Sequence, residues 1–155
     1  METKDLIGAI KSAGKAKRTL EFKYPKIDGF YVQITYATKF ILNQIREFAR
    51  EISTDFRTRG SVENYNDEKL RQGYAKNFIK GWKGLTSQTL QKMLPGLVVK
   101  GKETTAEIPY THDLAFALLN ESIEFENWII NTAMTVENYQ PVAEKQEEEE
   151  GNLKN

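Results

Sequence analysis

The sequence predicts an α+β fold, mainly α: an N-terminal β-hairpin, about five helices, and a disordered acidic C-terminal tail. Three observations carry this prediction. Leu20, Phe22 and Tyr24, and then Phe30, Val32, Ile34 and Tyr36, recur at every second position, the period of a strand. From residue 38 to about 133 the apolar residues recur three and four apart, the period of a helix. From Pro141 onward apolar residues become sparse and four glutamates, 147–150, run together.

Residues 1–18 are lysine-rich, with Leu6, Ile7 and Ile10 at helical spacing, but Gly8 and Gly14 each cost a helix about 1 kcal/mol. They read equally as a short amphipathic helix or as a basic, mobile leader. Pro25-Lys26-Ile27-Asp28-Gly29 joins the two strands, and Asp-Gly is a turn dipeptide. A lone hairpin is not stable in water, so its apolar face must pack on something. Thr38 caps a helix carrying Ile41, Ile45, Phe48, Ala49, Ile52 and Phe56. Residues 57–66 read as a loop. Asp67 and Glu68 open a second helix with Leu70, Tyr74, Phe78 and Trp82 four apart. Thr86 caps a short third helix that ends at Pro95-Gly96, and Leu97, Val98 and Val99 follow as a short extended piece. Pro109-Tyr110-Thr111 leads into a helix with Leu114, Ala115, Leu118 and Leu119. Asn120-Glu121-Ser122 breaks it, and Phe125, Trp128, Ile129 and Ala133 mark the last. Residues 19–140 thus form one globular domain, and 141–155 cannot bury enough surface to offset their ordering entropy. Phe48 and Phe78 are expected in the core.

A chain of 155 residues fits one domain and can bury about 70% of its unfolded surface. With no cysteine, disulfides, cysteine-based zinc sites and thiol catalysis are excluded, which suits a reducing compartment. No apolar run approaches the roughly 18 residues needed to span a bilayer, and no secretory signal is expected. Asn120-Glu121-Ser122 then matches a glycosylation sequon by chance. The zero net charge hides a split. Residues 1–60 carry 12 basic and 7 acidic side chains, 61–100 carry 7 and 3, and 101–155 carry 3 and 12. Such polarity serves head-to-tail contacts or a charged partner, or it is a basic body with a solvated acidic tail.

No catalytic constellation emerges. His112 is the single histidine, beside Asp113 at a helix start, where a surface position is the simple reading. There is no GxxxxGK[ST] and no GxGxxG. Gly81-Trp82-Lys83-Gly84-Leu85-Thr86 looks like a phosphate loop, but it follows an expected helix, so its glycines fit a tight helix–helix turn. No cofactor, metal or catalytic residue is assigned. Nucleic-acid binding has some support: residues 1–100 are basic, and Tyr31 and Tyr36 could stack bases with Lys23, Lys26 and Lys39 near phosphates. A third reading, a small enzyme with a buried carboxylate pair, needs a pocket holding two acids.

Two blocks go beyond a generic domain. One is Ala75-Lys76-Asn77-Phe78-Ile79-Lys80-Gly81-Trp82-Lys83-Gly84-Leu85-Thr86. The other is Ile108-Pro109-Tyr110-Thr111, Leu118-Leu119, Phe125-Glu126-Asn127-Trp128-Ile129 and Asn138-Tyr139. With the upstream Gly29-Phe30-Tyr31-Val32-Gln33-Ile34, this pattern over residues 20–140 resembles the tail assembly chaperones of long-tailed, siphovirus-type bacteriophages. The resemblance implies a non-enzymatic protein of the host cytoplasm, absent from the mature virion. It would bind the phage tape measure protein and help recruit tail tube protein. It also implies a longer form made by programmed frameshifting, and Leu153-Lys154-Asn155 is compatible with a slippery heptamer at that end. Trp82, Trp128 and Tyr110 are the partner-binding candidates, although core packing accounts for the two tryptophans more simply. The alternative is a phage-encoded nucleic-acid-binding module. Self-association is compatible with either.

Overall fold

The computed structural model describes residues 2–98 and 105–141. Among them the chain order is α1 (Thr3–Lys15), β1 (Thr19–Lys23), β2 (Tyr31–Thr35), α2 (Lys39–Ala49), β3 (Arg50–Thr54) and β4 (Ser61–Tyr65). There follow α3 (Asp67–Phe78), β5 (Ile79–Lys83), α4 (Ser87–Met93), α5 (His112–Glu121), α6 (Ile123–Met134) and a closing 3-10 turn, Val136–Tyr139. The class is α+β, mainly α, and five helices follow the first hairpin.

The first hairpin forms where the alternation places it. Leu20 faces Ile34 and Phe22 faces Val32 across an antiparallel pair. The turn closes through the Tyr24 N–H, which donates to the Phe30 carbonyl at 2.8 Å. One sheet face carries Val32 and Ile34, both fully buried under the helices. On the other face the Lys83 amine reaches the Glu21 carboxylate at 3.0 Å and lies 4.9 Å from the Tyr31 ring centroid.

The second edge of β2 is taken by β5, which corrects the expected helix through Trp82. The helix ends at Phe78, and Ile79–Lys83 pairs antiparallel with β2, Val32 facing Trp82 and Ile34 facing Ile79. The four-residue spacing of Leu70, Tyr74, Phe78 and Trp82 fits a helix. Burial of Ile79 and Gly81 with Lys80 exposed fits a strand, and an unpaired β2 edge decides between them. The glycines therefore do not make a helix–helix turn. Gly81 lies inside β5. Gly84 follows it with φ +79°, and a Cβ there would fall 1.8 Å from the Gly29 carbonyl oxygen.

A second correction concerns residues 50–66. The expected long helix stops at Ala49, and the expected loop contains β4, paired antiparallel with β3 so that Ile52 faces Glu63. Ile52-Ser53-Thr54 has weak helix propensity, because branched and hydroxyl side chains lose freedom or compete for the backbone. The turn is built locally: the Asp55 carboxylate accepts the Arg57 N–H at 2.9 Å, and Arg59 takes φ 56°. Every residue of both strands is exposed. So Ile52 and Phe56 are not core residues; they are 65% and 94% exposed. Phe48 is also outside the core at 54%, whereas Phe78 is fully buried as expected.

Of the two forms open to the leader the helix is present, over Thr3–Lys15, and none of its residues is buried. Its Lys15 amine sits 6.0 Å from the Phe40 ring centroid of α2. Leu97 and Val98 adopt no regular strand, and Val99 lies outside the described residues, as does the acidic tail from residue 142.

The predicted caps form. Thr38 accepts the Ile41 N–H at 3.1 Å and Thr86 the Thr89 N–H at 3.2 Å. Thr111, read only as part of a helix lead-in, is also a cap, accepting the Leu114 N–H at 3.1 Å. Ser122 ends α5 by donating its N–H to the Leu118 carbonyl, then caps α6 by accepting the Phe125 N–H. Helix α3 packs between α2 and α5, and α6 packs on α5 and β2. Gly73 allows α2 and α3 to approach closely; a Cβ there would lie 2.8 Å from Ile45 Cγ2. The Arg71 guanidinium of α3 holds Glu126 of α6 at 2.7 Å. Among the described residues no helix is long and apolar enough to cross a membrane.

Candidate functional site

Helix α2 presents two adjacent apolar stripes. Ile41, Ile45 and Ala49, four apart, are buried against the core. Phe40 and Phe48, eight apart, lie on the neighbouring stripe, 42% and 54% exposed. Helices α3 and α5 stand beside that stripe and turn it into a wall of an open groove of about 860 Å³. Ile45 and Gly73 meet in its lining, where the close helix approach replaces side-chain bulk with space. Phe116 of α5 adds a third ring.

The polar lining is asymmetric. Lys17 and Lys76 line the groove, and Lys76 also borders a cleft of about 430 Å³ that holds Lys80, Tyr110 and His112. The Lys80 amine donates to the Lys76 carbonyl at 2.9 Å. Burial, followed by the charges of Lys17 and Lys76, holds Lys80 below its usual value. A cationic cluster therefore flanks the groove, opposed within it by Glu47 and Asp113. Near the hairpin base, the Lys69 amine lies 5.9 Å from the Phe48 ring centroid.

The three aromatic candidates belong to one chain of ring contacts across the core. Tyr110 meets Trp82 edge-on at 5.0 Å, and Trp82 meets Phe30 at 6.5 Å. Phe30 stacks on Phe125 at 6.4 Å, and Phe125 meets Trp128 at 6.2 Å. Trp128 also meets Tyr24 edge-on at 5.0 Å. Each of the three is half-buried, and two are anchored by hydrogen bonds. The Trp82 indole N–H donates to the Ile108 carbonyl at 2.9 Å, and the Tyr110 hydroxyl to the Ile79 carbonyl at 2.9 Å. These two bonds fasten the segment before α5 along β5. Tyr110 additionally lines the smaller cleft.

His112 is the exposed first residue of α5 and lines both depressions. Of the residues that suggested nucleic-acid contacts, Lys23 pairs with Asp28 at 2.9 Å, Lys26 pairs with Glu124 at 2.6 Å, and the Tyr36 ring lies 5.2 Å from that of Tyr139. Among the described residues no three acidic, histidine or cysteine side chains are grouped to hold a metal. Sequence reasoning missed Phe40 and Phe116 and assigned Phe48 to the core. The available signal was that α2 has more apolar residues than one stripe can bury.

No curated protein and no solved structure matches the chain. Residues 36–152 match the family described as YdaY prophage protein, a span that covers α2 through α6 and so includes every helix that lines the groove. This chain belongs to the YdaY prophage protein family.

Proposed function

We propose that this prophage protein is a non-catalytic assembly chaperone of phage tails. It holds an amphipathic helix of the tape measure protein in the groove between α2, α3 and α5, and it helps bring tail tube protein to that complex. The observation that carries the reading is the groove: half-exposed Phe40 and Phe48 on one helix face, with Phe116 beside them and lysines along one flank. A tape measure protein is a long helical chain whose apolar stripes are exposed until the tube encloses them. Burial of such a stripe on three rings would drive capture. The lysine flank would set the direction of the bound helix by pairing with its acidic residues. The chaperone would act in the host cytoplasm and leave before the virion is complete.

The test is anisotropy titration with labelled helical peptides from the tape measure protein of the same prophage. Phe48→Glu should weaken binding at least about tenfold, as expected for a central aromatic contact, while its melting curve stays that of the parent. Binding that ignores Phe48→Glu would place the partner elsewhere. If the protein instead bound single-stranded DNA with an affinity that fell steeply with salt, the nucleic-acid reading would replace this one.

A further inference from the structure

The β3–β4 ribbon is the part of the described chain least accounted for by its own fold. It runs from the end of α2 to the start of α3 as two five-residue strands exposed on both faces. A two-stranded ribbon is marginally stable alone, and each of its outer edges is a template for another strand. Natural edges are usually blunted by lysine, proline or a bulge. β3, Arg50-Glu51-Ile52-Ser53-Thr54, has no lysine or proline, its two charges are of opposite sign, and its register with β4 is regular.

The hydrogen-bond pattern shows which residues face that edge. The Asp55 N–H donates to the Gly60 carbonyl at 2.8 Å, and the Asn66 N–H to the Ala49 carbonyl at 2.9 Å. Bonded and non-bonded pairs alternate along an antiparallel ladder. Glu51 and Ser53 therefore bond inward to β4, while Arg50, Ile52 and Thr54 direct their N–H and carbonyl groups outward.

We infer that β3 is a self-association edge: two copies pair their β3 strands antiparallel about a two-fold axis at Ile52, joining their ribbons into one four-stranded sheet. With the whole strand overlapped, Ile52 faces Ile52, Arg50 faces Thr54 and Glu51 faces Ser53. All three outward-facing residues find bonded partners, and no like charges meet. The same operation on β4 sets Glu63 against Glu63, a like-charge pair that disfavours that edge. The isologous arrangement closes on itself, so it ends at a dimer rather than a fibre. It also carries each ribbon tip, with its 94% exposed Phe56, to the end of α2 in the other copy, where Phe48 is half exposed. The 94% exposed Phe56 thereby gains an apolar neighbour.

Dimerisation through β3 is measured without any partner, so its failure is distinguishable from a failure of helix capture. Sedimentation of the full chain across micromolar concentrations should show a monomer–dimer equilibrium. Ile52→Lys, at a 65% exposed position, should be monomeric where the parent is dimeric, and Glu63→Lys should remain dimeric. The chain has no cysteine, so Ile52→Cys with oxidised glutathione should give a disulfide-linked dimer. Bonded antiparallel pairs hold their Cα atoms about 5.5 Å apart, within the range a disulfide spans. Glu63→Cys should stay uncrosslinked. A chain that is monomeric throughout, an Ile52→Lys variant that still dimerises, or crosslinking at position 63 in place of 52 would each overturn the assignment.

Discussion

The chain makes two antiparallel hairpins from strands of equal length, and they meet opposite fates. In β1–β2 the apolar residues share a face: Phe22 lies opposite Val32 and Leu20 opposite Ile34. That face is roofed by helices. In β3–β4 Ile52 lies opposite Glu63, whereas Val62 lies opposite Ser53 and so points to the other side. Neither face is apolar enough to hold a helix, and the ribbon stands in solvent. Backbone pairing alone therefore does not place a hairpin in a core; the distribution of apolar side chains over its two faces does.

The sharpest way to break the buried hairpin is Phe30→Ala. Phe30 is fully buried and touches Tyr24, Trp82 and Phe125. Its truncation should cost about 3–5 kcal/mol, read by urea denaturation. Gly84→Ala attacks the same hairpin from outside. The new Cβ would strike the Gly29 carbonyl in the hairpin turn, at a φ that side chains rarely adopt. We expect a loss toward the top of about 1–3 kcal/mol, the range for a strained left-handed residue, with a lower melting temperature.

The third probe is pH. The Tyr139 hydroxyl donates to the Ile34 carbonyl of β2 at 3.2 Å, and burial holds it well above its ordinary value of 10.0. Above pH 10 the unfolded chain loses this proton while the folded chain keeps it. The unfolded state then binds fewer protons, so stability falls as pH rises. Tyr139→Phe should make that alkaline decline shallower and cost about 1 kcal/mol at neutral pH for the lost hydrogen bond. Some decline will remain, because burial also raises Tyr24, Tyr74 and Tyr110.

The ribbon supplies the smallest expected effect. Phe56→Ala, measured at concentrations dilute enough to keep the chain monomeric, should change stability by no more than about 0.5 kcal/mol, as for other exposed positions. A loss comparable to that of Phe30→Ala would mean that the ribbon packs on the body and that the contrast between the two hairpins is wrong.

The sequence alone determined the first hairpin, its buried face and the helix starts. Each rests on local chemistry: strict alternation at Phe30-Tyr31-Val32-Gln33-Ile34, a Gly in the turn, hydroxyl caps at Thr38 and Thr86, and the lead-in and break at Thr111 and Ser122. Tertiary structure decided where α2 and α3 end. Ile52, Phe56 and Trp82 continue the helical spacing of the residues before them, so periodicity carries the helix past its end. What stops α3 at Phe78 is a vacant edge on β2, and what stops α2 at Ala49 is a pairing partner, β4, that lies beyond a turn. The groove was hidden for the same reason. Phe48 looks like a core residue until the packing of α2 on α3 and α5 leaves its stripe uncovered, and contacts such as Ile45 on Gly73 are ones no local pattern encodes.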